Sequence, residues 1–572
     1  MAPTDSSLPG SKINTNFELL YSLKADGNVP ISKYRSKKTG MQVCIAGVEG
    51  PIVHGYLCIA TEAHDDDGLP HTLEHLIFLG SEHYPYKGVL DLLANRCLAS
   101  GTNAWTDTDH TCYTMMTAGA EGFLKLLPIY LDHVLYPLLM DAGFITEVHH
   151  INGEGDDAGV VYCEMQAREN TGESRCHRAF LQAMYPGHCG YKSETGGLMK
   201  NLRESTSNEK VKAYHQAFYQ PENLCIIVTG QVMPEEVFRA INPVEDKILS
   251  KNFDEITAIS ILLKYLTETS VSPLQREFVE TPDPYCSSVS FSIIENSESS
   301  IVLDFENGKK EKLHHVKTRL LEVLHGLSSG SEALDMERMA TVIHRTKLSL
   351  LRKVEYCPHE TIAFGVIGDF LYGNTEEDLE HRVHQIPLVS SLAIKGREYW
   401  INLLRKYLLE APIVTIIGEP SATMSEEMSQ EEKKRVTEQR EILKEEGLKK
   451  NSEVLARAKE SNEIEPPQDM VTSVSVPSTS AIQFHPISRS SNHNEDELDN
   501  IPSFSLRDMP CRFQLDDTHT NFVKMFVLMD TSMVTADLRL YLPLLMELIL
   551  ESPILREGSK SYLDTFVFVI VF

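Results

Sequence analysis

Pro70-His71-Thr72-Leu73-Glu74-His75-Leu76-Ile77-Phe78-Leu79-Gly80 is the stretch from which the rest of the chain is read. Pro70 suits a helix start, where its missing N–H costs nothing, and Gly80 stands where a C-terminal cap belongs. Leu73, Leu76 and Phe78 supply apolar packing between those ends. In a helix His71 and His75 lie one turn apart and project the same way, so two imidazoles reach one metal ion. Glu74 is displaced round the helix, where it reaches a water at that ion without being a ligand. Zinc needs a third ligand and an open position; it lowers the pKa of its water to roughly 7, and a carboxylate nearby passes the proton to a leaving amine. A bare HxxEH also fits an amphipathic helix with no metal. The caps and packing on either side are what favour a site.

The third ligand lies elsewhere in the chain. Val160 to Arg168 reads as a second helix approaching the first, and it carries Glu164 within Gly159-Val160-Val161-Tyr162-Cys163-Glu164-Met165. By spacing alone Glu164 is one of many acidic candidates. Glu154 and Asp157 precede it as carboxylates able to orient a histidine. His83, His110, His133, His149, His150 and His188 have no partner at ligand spacing and read as structural or surface residues.

Outward from this core, residues 15–245 read as one α+β unit. Strand-like runs occupy Met41 to Val48 and Ile52 to Thr61; helical patterns follow at Val89 to Leu98 and Ala120 to Tyr136. The unit closes on a helix, Asn208 to Phe218, then Tyr219-Gln220-Pro221-Glu222-Asn223 and a buried-strand run, Leu224 to Val228, ending at Gly230. Residues 246–420 end on an echo of this: a helix from Arg397 to Tyr407, Pro412, and a strand-like run from Ile413 to Ile417 stopping at Gly418. The echo predicts a second copy of the same α+β domain. Residues 421–500 form a linker. Glu431 to Lys459, with Glu445/Lys449 and Glu446/Lys450 pairs, predicts a solvated helix, and Pro466 to Asp499 a flexible connection. Residues 501–572 open a third α+β domain, with a strand at Asn521 to Leu528 and a helix at Ala536 to Leu550. The apolar end, Thr565 to Phe572, has no evident partner strand, so this domain reads as incomplete. Residues 1–14 form a tail.

At 572 residues the chain exceeds a single core. Its formal charge of −29 argues against nucleic-acid and anionic-membrane partners, both of which reward a basic face. No run of about twenty apolar residues is present to span a bilayer. Eleven cysteines without a CxxC pair fit a reducing compartment, with Cys97, Cys163 and Cys225 expected as small buried hydrophobes. Residues 1–12 lack a signal core and an Arg-rich amphipathic stretch, which favours the cytoplasm. Oligomeric state is not legible.

HxxEH is the inverted form of the zincin motif. The residues around it resemble the pitrilysin/insulin-degrading-enzyme family, particularly its presequence-protease-like branch. The resemblance rests on His71–His75 with Leu79-Gly80-Ser81-Glu82 and Tyr84-Pro85; on Thr102-Asn103-Ala104-Trp105-Thr106 with Asp109-His110-Thr111-Cys112-Tyr113; on Gly159 to Met165; and on Tyr219 to Asn223. It covers residues 15 to about 555, and a mitochondrial setting is the alternative it brings. The resemblance implies tandem homologous α+β domains forming the first half of a clamshell. It implies His71, His75 and Glu164 as ligands of one Zn²⁺, Glu74 as general base, and Asp157 as a supporting acid. Asn103 and Ala104 match the segment that lines the cleft and pairs with substrate backbone, a mode that tolerates many sequences. The implied activity is zinc-dependent endoproteolysis of unfolded or oligopeptide substrates; a non-catalytic binding or regulatory subunit, or an inactive truncated product, of the same fold is the alternative. The Arg and Tyr that the family's second half contributes have no counterpart here, so weak unassisted proteolysis is expected.

Overall fold

The computed structural model describes residues 16–570 except 186, 188, 242–255, 295–299, 374, 485–486, 493–510, 529, 552–553, 557–558 and 562–567. The expected boundary near 245, the tail, His188 and part of the Ser/Asn-rich stretch lie outside them. Two compact bodies result, one ending at Phe484 and one formed by the residues after it.

The first body is organised by a seven-stranded sheet: β1 (Phe17–Lys24), β2 (Pro30–Ser36), β3 (Gln42–Ala46), β4 (Ile52–Ala60), β5 (Ala99–Thr106), β6 (His110–Ala118) and β7 (Leu224–Thr229). Their order is β1-β2-β3-β7-β4-β6-β5. Only β3 and β7 run parallel, and β7 is antiparallel to β4 on its other side. All six residues of β7 are buried, which explains its unbroken apolar sequence: both faces of the sheet are covered there.

One face packs on α1 (Leu69–Ile77), α2 (Val89–Arg96), α3 (Ala120–Leu135), α4 (Asp141–Glu147), α5 (Val160–Arg168) and α6 (Asn208–Phe218). The spacing-based helices at 160–168 and 208–218 fall where expected. The other face carries Cys44, Tyr56, Cys58, Cys112, Cys225 and Ile227. It is closed by Ile362, Ala363, Val366, Ile367 and Phe370 of α7 (Pro358–Tyr372), a helix of the second domain. Lys33 of β2 and Asp369 of α7 form a buried ion pair across this seam.

The second domain keeps its own core around Trp400, Phe278 and Leu324, with a hairpin of β8 (Ser288–Ile294) and β9 (Ser300–Glu306). Here the expected strand at Ile413 to Ile417 does not form. The run has no regular secondary structure, with Ile413, Ile416 and Ile417 exposed beside Ile301, Leu303 and Phe305 around a cavity of about 1040 Å³. β-branched composition reports fitness for a pleated, half-buried surface rather than an intrinsic strand. β7 finds ladders on both sides; among the described residues the second run finds none.

Three further expectations are corrected. Cys163 is exposed, because the buried side of α5 is made by Val161, Tyr162 and Met165. Part of the expected flexible stretch is docked: Met470 and Val474 pack on the first core, and Arg96 Nε donates to the Val474 carbonyl at 3.0 Å. In the second body, Phe568–Ile570 does have a partner, pairing parallel with Met525–Val527. That body also holds an antiparallel pair, Ser488–Ser491 with Gln514–Asp517, and the helices Ala536–Arg539 and Leu542–Glu551. Among the described residues no helix is long and apolar enough to cross a membrane.

Candidate metal centre

Both helices that meet at the site start on a glycine pressed against backbone. α1 follows Gly68, at φ 67°, where a Cβ would come within 2.6 Å of the Gly196 carbonyl oxygen. α5 follows Gly159, at φ 133°, where a Cβ would come within 2.3 Å of the Val148 carbonyl oxygen. Neither position admits a side chain. Asp67, buried just ahead of α1, accepts from Asn201 Nδ2 at 2.9 Å and Ser205 Oγ at 2.5 Å and pairs with Lys210. The start of α1 is thereby fixed in position and angle.

On this base His71, His75 and Glu164 converge. Glu164 Oε2 lies 3.6 Å from His71 Nε2 and 3.7 Å from His75 Nε2, and the three donor atoms all fall within 4.8 Å of one another. Tetrahedral zinc, with bonds of about 2.0–2.1 Å, separates its ligands by about 3.4 Å. The donor set and its spacing fit that ion. Burial, helped by His75, pushes His71 down to about 4, so its ring is neutral at pH 7 and able to ligate. The His71 side chain is 12% exposed, whereas that of Glu164 is 42% exposed, so the site opens on that side.

Glu74 sits beside the three donors and outside them. Burial raises its carboxyl above the ordinary range, and a hydrogen bond from Thr106 pulls the other way. That bond, Thr106 Oγ1 to Glu74 Oε2, is 2.6 Å long. Sequence reasoning missed Thr106; the signal was its place at the end of the Thr102–Thr106 stretch, sharing a strand face with Ala104. Asn103 and Ala104 lie on β5, the last strand of the sheet, which pairs with β6 alone among the described residues.

Asp157 stands three residues ahead of α5. Its carboxylate, 3% exposed, meets His149 Nε2 at 2.8 Å and Arg435 Nη2 at 2.5 Å, and no hydrogen bond joins it to His71 or His75. Burial would raise this acid, but those two partners outweigh it and hold the carboxyl well below the ordinary range. Glu154 lies in the preceding turn, its N–H bonded to Asn152. The remaining histidines have other partners: His83 with Asp132, His110 with Asp109 and Trp105, His133 with the Ile129 carbonyl, and His150 with that of Ile145.

Comparison with known proteins places these residues in a family. The model of insulinase, peptidase family M16, matches residues 60–169, and that of the M16 inactive domain matches residues 205–331. The chain belongs to family M16. Among relatives, an uncharacterized protein of Caenorhabditis elegans is 37% identical over 94% of this chain and 59% of its own length. The mitochondrial presequence protease of Xenopus tropicalis is 29% identical over 42% of this chain and 23% of its own. The crystal structure of a protease from Helicobacter pylori shares the fold, with a TM-score of 0.53 at 18% identity over 69% of this chain and 97% of that one. The chain thus spans little more than half of the C. elegans relative. The M16 architecture of tandem α+β domains agrees with the arrangement described above.

Proposed function

We propose that the chain is the metal-bearing part of a zinc metalloendopeptidase that hydrolyses peptide bonds in unfolded or oligopeptide substrates. The observation that carries this reading is the meeting of His71, His75 and Glu164 at ligand spacing, with Glu74 next to them and free of the ligand set. Membership in a peptidase family supports it. Bound at these three side chains, zinc would polarise the scissile carbonyl and acidify the attacking water. Glu74, held by Thr106, is the group that would take a proton from the attacking water and return it to the leaving amine. The free edge of β5 at Asn103 and Ala104 takes an extended peptide by main-chain hydrogen bonds, which asks little of its side chains.

The competing reading is a non-catalytic subunit of the same fold. The convergence of all four polar groups weighs against it, since binding alone has no use for Glu74. The test is zinc content together with cleavage of a quenched peptide. About one zinc per chain is expected, lost in His71→Ala; cleavage should vanish with chelator and with Glu74→Gln. Cleavage indifferent to both would sink the peptidase reading. The mitochondrial presequence proteases among the relatives make a mitochondrial setting the counter-proposal to a cytoplasmic one, and fractionation of the tagged chain decides between them.

A further inference from the structure

The charged helix expected to be a solvated spacer lies against the metal-bearing domain. α8 (Ala422–Asn462) is broken at Lys444, whose φ of 55° and ψ of 179° are not helical, and each part has its own contact. The second part reaches α4, where Asn462 Nδ2 donates to the Ala142 carbonyl at 3.0 Å and to Thr146 Oγ1 at 2.8 Å. The first part reaches the turn that leads into α5. Arg435 Nη2 donates to Asp157 Oδ2 at 2.5 Å, and Gln439 Nε2 donates to the Gly155 carbonyl at 3.0 Å. Arg440 Nη2 donates to Asp156 Oδ1 at 2.5 Å. Glu432 accepts from Arg435 Nη2 at 2.7 Å and from Arg435 Nε at 2.8 Å and fixes the plane of that guanidinium.

Position makes this more than surface adhesion. Asp157 is 3% exposed, and three residues after it α5 begins; Glu164 stands on the second turn of that helix. The buried side of α5 is short, made of Val161, Tyr162 and Met165. Two further ties hold the helix: Arg203 Nη1 donates to Tyr162 Oη at 2.7 Å, and the entry turn is held by His149 from within the domain and by Arg435 from α8. Gly155, at φ 83°, would set a Cβ within 2.5 Å of Arg440 Cγ, so turn and helix are fitted to each other.

We propose that Arg435 is a positioning residue for Glu164: through Asp157 it sets the pitch of α5, and so α8 braces the third ligand from outside the domain. This rests on the zinc reading above, and the experiment separates the two. Hydrogen exchange on the metal-free chain reads the brace alone, while competition with a chromophoric chelator reads zinc affinity. Arg435→Ala should speed exchange over residues 157–168, leave that of β4 and β6 unchanged, and weaken zinc binding about tenfold, within the range for outer-shell partners of metal ligands. Arg435→Lys should restore part of both, since a lysine supplies the charge without the forked geometry. Arg435→Ala should add little on top of Asp157→Asn, because Arg435 acts on α5 through that carboxylate. Arg457→Ala, an exposed change on the other part of α8, should alter neither readout. If Arg435→Ala leaves exchange over 157–168 unchanged, or loosens α5 with zinc affinity intact, the positioning role is overturned. Wild-type chain that takes up no zinc while Arg435→Ala still loosens α5 would overturn the metallopeptidase reading and leave the brace standing.

Discussion

At Glu74 a single hydroxyl decides which way the carboxylate faces. Thr106 Oγ1 holds Oε2 at 2.6 Å, in a setting where burial favours the neutral acid. A hydrogen bond to a charged group contributes about 1.5–3 kcal/mol. Thr106→Val keeps the shape of the side chain and removes the donor, so kcat/KM should fall about ten- to a hundredfold with zinc content unchanged. The sign of the pH effect follows from the same contact. Thr106 stabilises the charged carboxylate, so its loss raises the pKa of Glu74 further, and the acid limb of the pH–rate profile should move to higher pH. Thr106→Ser should move it back. Equal zinc content with an unmoved limb would show that Thr106 does not act through Glu74.

Elements were legible in proportion to how locally they are determined. α5 and α6 could be bounded from spacing and glycine or proline punctuation, because their apolar periodicity and flanking breakers sit within one window of sequence. The two histidines were legible for the same reason, being one turn apart on α1. Glu164 was not, since nothing within its own helix says that it meets α1; it came from resemblance. Ile413 to Ile417 carried the composition of β7 without its two flanking strands, and strand pairing is not a local property. Arg435 on a highly charged helix looked like any solvated arginine, because its partner Asp157 is 278 residues away. The glycines that start the ligand helices were informative only as caps, yet they bear on stability. Gly68→Ala places a methyl group against the Gly196 and Gly197 backbone at a φ that alanine avoids. It should destabilise the chain by about 2–4 kcal/mol in denaturant melts. Gly172→Ala, where a Cβ meets nothing within 4 Å, should leave the midpoint unchanged or slightly raised.

For the first body as a whole, the sheet behind the candidate metal centre is packed on both faces, and its far face is covered by α7. α7 supplies apolar side chains, the buried Lys33–Asp369 pair and a histidine stack. His54 of β4 lies against His359 of α7 with ring centroids 4.6 Å apart and planes 19° from parallel. Tyr56 and Thr229 face the pair from the sheet and Glu360 from α7. Burial, and then the neighbouring His359, pushes His54 down to about 4. An unfolded histidine titrates near 6.5. A group whose folded pKa is depressed binds fewer protons in the folded state, so its full contribution is present above about pH 6.5 and is lost as pH falls towards 4. After discounting for partial exposure, this amounts to about 2 kcal/mol across that window. Thermal melts of the chain between pH 7 and pH 4 should therefore show stability falling as the two rings charge against each other. His54→Gln should flatten that fall, because glutamine keeps a polar contact to Tyr56 and adds no charge in acid. The prediction extends to the metal centre: β4 abuts β6, and β6 abuts β5 beside α1. Acid loosening of the seam should thus appear in wild type as faster exchange of β4 amides before any global unfolding, and should be absent in His54→Gln. A wild-type curve that is flat from pH 6.5 to 4 would show that the histidine stack carries no part of the domain seam.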